Sequence, residues 1–359
     1  MHRLFLFFSG CVLWMLALAC SFWPAPAGAW DYEGHRIVNR LALAGLPPEF
    51  PAFVREPANA GRIAFLAGEP DRWRNVEDGP LRHAQAPDHF FDIEYPVGGG
   101  LPLAKLSEFR QVFAVQLAEA RKAHPSAYPK SGASDRDRDR TRDLVGFLPW
   151  AIAENYARVK SAFTYLKAYE ALGTPEEIAN ARANVVYQMG VLGHYLGDGV
   201  QPLHTTRHFN GWSAGVPNPR GFTTRRTLHS WIDGGYLAAA QITAADLLPR
   251  ALRADPLTLP AGGKRPEGGG GGRDPVFEAA LAWLARQHEQ VVPLYELEKA
   301  GELNAPPATR KGRAFIEQRL LEGGRTLAAF WLTAWREAGQ DFYLTTQLRK
   351  RRESGTNGY

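Results

Sequence analysis

The stretch VLGHYLGDGVQPLH, residues 191–204, decides how this chain is read. His194 and Asp198 stand four residues apart in a run of helical period, so both side chains leave the helix on one face. Pro202 stops the helix nearby, which frees His204 to turn back toward that face. Imidazole nitrogen and carboxylate oxygen together suit a divalent metal of the zinc type. The same spacing returns in LHSWID (228–233), where His229 and Asp233 again share a helical face. Either pair alone fits an exposed ion pair or a helix cap equally well. Two such pairs, with a further histidine beyond a helix-ending proline, point to metal. Gathering carboxylates and imidazoles in an interior is costly unless a cation compensates them.

Around this stretch most of the chain is predicted helical. Apolar positions recur at helical spacing over Glu33 to Leu46, Ser107 to Lys122 and Leu148 to Leu172. Thr174-Pro-Glu-Glu177 is a capping box with proline at the first helical position, and it launches the central helix through His194. Asp274-Pro275 opens another helix, and Arg313 to Glu337 is the last long one. No alternating runs suggest strands. The expected fold class is mainly α, a helical bundle with long loops. SDRDRDRTRD (134–143) alternates charge sign and is expected as an exposed loop or helix start, and the Gly-rich 262–273 as a loop within one domain spanning 30–350. Residues 351–359 are expected as a frayed tail.

The first residues carry a different signature. A short basic start, an apolar run from Leu4 to Cys20 and the small residues Ala27-Gly28-Ala29 form the pattern of a secretory signal peptide, cut after Ala29. An uncleaved anchor is the alternative, since the apolar run nearly reaches spanning length, and lipoprotein processing at Cys20 is a second. Cleavage at Ala29 makes Trp30 the first residue of an exported protein, periplasmic or extracellular. Both cysteines, Cys11 and Cys20, fall within the leader, so stability after cleavage must come from the core and from metal. The net charge of +5 falls to +4 with the loss of Arg3, a surplus that suits a polyanionic substrate without requiring one.

WDYEGH (30–35), PDRWR (70–74), HFFDIE (89–94), GHYLGDGVQPLH (193–204) and LHSWID (228–233) together resemble the trinuclear-zinc nucleases, the secreted single-strand-specific enzymes of the S-one/P-one type. That family shares a helical scaffold with zinc-dependent phospholipase C. The resemblance covers roughly Trp30 to Asp233. It implies three zinc ions. Trp30 would bind one through its free α-amine and carbonyl, beside His35; an α-amine has a pKa of about 8, so a metal deprotonates it readily. Asp71, His89 and His194 would hold a second, bridged to the first by Asp198, and His204, His229 and Asp233 the third. Asp71 would also orient the attacking water, and Arg74 of the D-x-x-R pattern would clamp a phosphate. Phe90 resembles the ring on which a base stacks, and Asp92 the acid that hydrogen-bonds that base. A core role for Phe90 and a surface role for Arg74 are the plainer alternatives. His83, His124, His208 and His288 have no acid or histidine at ligand spacing.

Two spacings favour the nuclease branch. Trp30 and His35 are five apart, a gap that is longer in the phospholipases, and the interval from His204 to His229 is long; the final ligand, besides, is Asp233 where a phospholipase typically carries glutamate. The segment between His204 and His229 departs from the family pattern, with Thr227 where asparagine is expected. The expectation is a monomeric zinc phosphodiesterase, an endonuclease acting on single-stranded DNA and RNA to leave 5′-phosphates. A phospholipase C acting on phospholipid is the rival reading. A non-catalytic binding protein stapled by zinc is the third.

Overall fold

Thr174 starts the helix on which the rest is assembled. Its hydroxyl accepts the Glu177 amide at 3.3 Å while the Glu177 carboxylate accepts the Thr174 amide at 2.8 Å, closing the expected capping box. The computed structural model describes residues 30–128, 139–141, 143–259, 273–304 and 309–355. Among them the chain is helical and carries no strand, so the mainly α expectation holds. The leader, residues 134–138 and the Gly-rich 262–272 lie outside the described residues. No described helix is long and apolar enough to cross a membrane.

The long elements follow the sequence closely, and where their ends differ a side chain explains it. Helix α1 is Tyr32–Gly45, α2 is Pro57–Leu66 and α3 is Glu69–Asn75. Asp31 caps α1 by accepting the amides of Glu33 and Gly34. Helix α4, Arg110–Ala123, begins three residues later than expected because Ser107 is held in a turn: its hydroxyl accepts the Phe109 amide at 3.1 Å and its carbonyl accepts the Trp150 indole N–H at 3.0 Å. Helix α5, Leu148–Leu172, has the expected bounds. The central helix α6, Pro175–Val200, continues past His194 to the turn before Pro202. Helices α7 (Pro275–His288), α8 (Val291–Lys299) and α9 (Arg310–Glu337) follow, α9 starting at the Thr309 cap three residues ahead of the expected Arg313.

The first residues of the expected tail, 351–353, are helical. Helix α10 runs Phe342–Glu353, and Arg351 donates to both oxygens of Glu177 at 2.7 and 2.8 Å. That guanidinium holds the Glu177 carboxyl down at about 2. A run of basic residues read as a solvated end therefore closes on the cap of the central helix. Its charges also favour the last turn of α10.

Helix α6 is buried on all sides from Met189 to Val200, the mark of a helix inside a core rather than on it. It packs against α1, α2, α5 and α9. Buried Asn39 of α1 ties three helices by donating to the carbonyls of Ile63 (2.8 Å) and Gly190 (3.2 Å). Two glycines let α1 come this close: a Cβ on Gly193 would sit 1.8 Å from Asn39 Oδ1, and one on Gly197 would sit 2.5 Å from His35 Nδ1. Gly193→Ala is therefore expected to destabilise by about 2 kcal/mol or more through overpacking. Helix propensity alone would favour alanine by about 1 kcal/mol. The midpoint of denaturant unfolding decides which effect wins.

Candidate metal centre

Helix α6 delivers His194 and Asp198 one turn apart, and α1 brings His35 up to them across Gly197. The Asp198 carboxylate stands among four imidazoles. His89 Nδ1 (3.0 Å) and His194 Nε2 (3.1 Å) approach Oδ2, while His35 Nε2 (3.5 Å) and His204 Nδ1 (3.6 Å) approach Oδ1. Asp71, at the buried start of α3, joins through His89 at 3.9 Å, and Arg74 one turn on holds the same Asp71 oxygen at 2.8 Å. His204 Nε2 meets His229 Nε2 at 2.9 Å, and His229 meets Asp233 at 3.0 Å. Eight of the nine expected ligands thus form one continuous cluster through their side chains. Their ligand atoms fall into three groups: His35 with Asp71 and His194, His89 with His194 and Asp198, and His204 with His229 and Asp233.

Neighbouring backbone sets the ring orientations. His194 Nδ1 lies 2.7 Å from the Ala67 carbonyl and His204 Nδ1 lies 2.6 Å from the His89 carbonyl. A proton on each Nδ1, donated to that carbonyl, leaves each Nε2 lone pair for a metal. Gln201 does the same for a carboxylate. Fully buried, it donates to Asp233 Oδ1 at 2.6 Å while its own oxygen accepts the Leu203 amide at 2.6 Å. Asp233 sits in a π-helical turn, Trp231–Gly235, set between Leu228–Ser230 and Tyr236–Ala239, and such turns recur at functional sites. The Asp31 amide donates to the Asp233 carbonyl at 3.2 Å, which fastens the start of the described chain to this group.

The electrostatics ask for a cation. Burial opposes ionisation of Asp198, yet His194 and His204 beside it hold its carboxyl well below the usual range. Asp71 is likewise lowered, its burial outweighed by His194 and Arg74. Burial lowers His35, pushes His89 down to about 3 and His204 down to about 4. Burial also pulls on His194, but Asp198 and Asp71 outweigh it and its pKa is raised. Neutral imidazoles and ionised carboxylates are the forms that bind metal. Both oxygens of Asp198, Oδ2 of Asp233, Nε2 of His89 and both ring nitrogens of His35 are buried without a hydrogen-bond partner. Orphaned acceptors are expensive in an interior, and here they converge on one another, so the residues fit metal ions. The described residues supply buried His/Asp groups able to hold them.

The other expected site residues divide. Trp30 is fully buried, and the amide of its neighbour Asp31 donates to the carbonyl of Asp233 in this cluster. Phe90 follows His89 with its ring half-buried. Asp92 lies outside the cluster and beneath the surface, where burial and Glu94 push its carboxyl well up against the pull of Arg207. The sequence reading missed Gln201, although a lone amide between two ligands in an apolar run was a usable signal. It also missed Phe209, which is exposed and packs its ring edge-on to His229 at 5.8 Å. The histidines set aside have other partners: His208 stacks on Trp212 at 3.9 Å, His288 meets the Thr205 carbonyl at 2.9 Å and His83 the Asp139 carbonyl at 2.6 Å.

Comparison with known proteins adds no relative: no family model, curated protein or solved structure matches this chain.

Gln201→Ala is expected to free Asp233 and to weaken binding of the ion held with His204 and His229 by about 10- to 100-fold, read by competition with a chelator. In the metal-free chain, stability is expected to fall as pH drops below 6.5, the ordinary histidine value. There the unfolded chain binds protons that His35, His89, His204 and His208 refuse, while His194, Asp88 and Asp92, all raised, hold protons in the folded chain and offset three of those four. Urea midpoints in chelator at pH 7 and pH 5 check the sign, and equal midpoints would contradict it.

Proposed function

We propose that this protein is an exported zinc phosphodiesterase with three ions, an endonuclease hydrolysing single-stranded DNA and RNA to 5′-phosphorylated products. The observation that carries this reading is Asp198, whose two oxygens stand within 3.6 Å of imidazoles from all three groups of the centre. A carboxylate so placed is suited to bridge metals rather than to pair with one partner. When bound, zinc would acidify a water toward neutrality and stabilise the charge developing on phosphate oxygens.

The protein's own groups supply the rest. Asp71 is ion-paired with Arg74 through one oxygen and lies at the edge of the cluster, a position from which it would orient an attacking water. Arg74 keeps a permanent positive charge there and leaves part of its fork for a phosphate. Phe90, next to His89 in the chain, and the exposed Phe209, packed against His229, are the rings on which a base would stack. Removal of the leader at Ala29 would free the Trp30 amine for the ion held with His35.

Elemental analysis of the purified protein is expected to find three zinc ions per chain, and incubation with zinc is expected to degrade single-stranded DNA. Degradation of phosphatidylcholine alone would move the protein to the phospholipase branch. Inertness toward both would leave a structural role for the metal. Asp198→Asn is expected to lose bound zinc and turnover together, by a factor of at least about 100 in turnover.

A further inference from the structure

His229 lacks the support given to its neighbours in the cluster. The Nδ1 atoms of His194 and His204 each meet a backbone carbonyl, and Gln201 holds Asp233. Among the described residues no carbonyl meets Nδ1 of His229, while its Nε2 faces His204 Nε2 at 2.9 Å and Asp233 at 3.0 Å. A ligand histidine is ordinarily fixed through the ring nitrogen that does not bind the metal. His229 also stands in a helical turn of only three residues, Leu228–Ser230, whose cap residue Thr227 makes no side-chain hydrogen bond to it. Thr227 sits at φ −107°, ψ 11°, away from the extended backbone that a capping side chain ordinarily needs.

Asn210 supplies that cap from nineteen residues upstream, its Oδ1 accepting the His229 amide at 3.3 Å. The chain turns there at Gly211, φ +84°, where an added Cβ would stand 2.5 Å from the Thr224 carbonyl carbon. Glycine therefore lets residue 210 lie against the segment that leads into Leu228. The loop behind this contact is firmly held. His208 Nδ1 accepts the Ser213 amide at 3.0 Å, and the His208 carbonyl accepts the hydroxyl of Tyr295 on α8. Trp212 donates its amide to the Thr223 carbonyl at 2.8 Å and packs its ring against Phe222 and Tyr295. At the root of the loop Glu94 accepts the Thr206 hydroxyl, and it accepts the Arg207 amide at 3.1 Å.

We infer that Asn210 is a positioning residue for the metal centre, fixing the backbone of His229 and thereby the aim of its imidazole toward His204 and Asp233. The inference rests on the metal reading of that group. Ligand sets work only when held within about 0.5 Å of their geometry, and fraying of so short a turn would disperse this one. Thr227 stands where the resembled family carries asparagine, and the fold brings an asparagine oxygen to the same turn from across the loop.

The test pairs Asn210→Ala with Asn210→Asp, which keeps the accepting oxygen. In the zinc-loaded full chain, competition with a chelator is expected to show the ion held with His204 and Asp233 bound about tenfold or more weaker in the alanine variant. The other ions are expected to stay as in the parent, and the aspartate variant to restore the loss. Amide hydrogen exchange of the metal-free chain is the second measurement. The His229 amide is expected to exchange about tenfold or more faster in the alanine variant, and at the parent rate in the aspartate variant. Parent affinity in the alanine variant overturns the assignment, as does an equal weakening of every ion, which marks general loosening. Unchanged exchange overturns it too. A parent chain that binds no zinc refutes the metal reading, while the exchange rates still decide whether Asn210 holds His229.

Discussion

One carboxylate sets the terms for this molecule. Asp198 is fully buried inside a helix that is itself inside the core, and four imidazoles surround it. A buried charge is tolerated only when neighbours compensate it, and neutral imidazoles compensate weakly. The lowered pKa of Asp198 and the depressed His35, His89 and His204 describe a site held in the protonation states that suit metal and disfavour protons. Everything close to this carboxylate serves to keep several lone pairs aimed inward.

That arrangement requires close backbone approach. Gly193 and Gly197 remove the side chains that would otherwise push α1 away from α6, and Asn39 then fixes the distance with its two hydrogen bonds. The backbone also orients the rings, since the carbonyls of Ala67 and His89 each face an Nδ1 of a ligand histidine. The packing that brings α1 against α6 is thus also what gathers the candidate ligands. A core built for density alone would not leave so many polar atoms without partners.

The far end of α6 is secured by other means. Thr174 and Arg351 share the Glu177 carboxylate, so the C-terminal helix closes over the start of the same helix whose end carries the ligands. A single rigid element therefore sets the spacing of the His/Asp cluster and the terminal clasp. Loops alone would leave those distances to fluctuate.

Helix positions, the capping box and the ligand pairs at i, i+4 were legible in the chain because each depends on neighbours within one or two turns. His194 with Asp198, and His229 with Asp233, share a face for that reason alone. Three things depended on residues far apart in sequence and were decided only by the tertiary structure: the meeting of His35, Asp71 and His89 with that face, the support of Asp233 by Gln201, and the capture of Glu177 by Arg351. Local period records which way a side chain leaves its own helix, but carries no record of which distant group stands opposite. Asp92 shows the same limit, since the resemblance gave it a hydrogen bond to a base and its burial beside Glu94 came from packing alone.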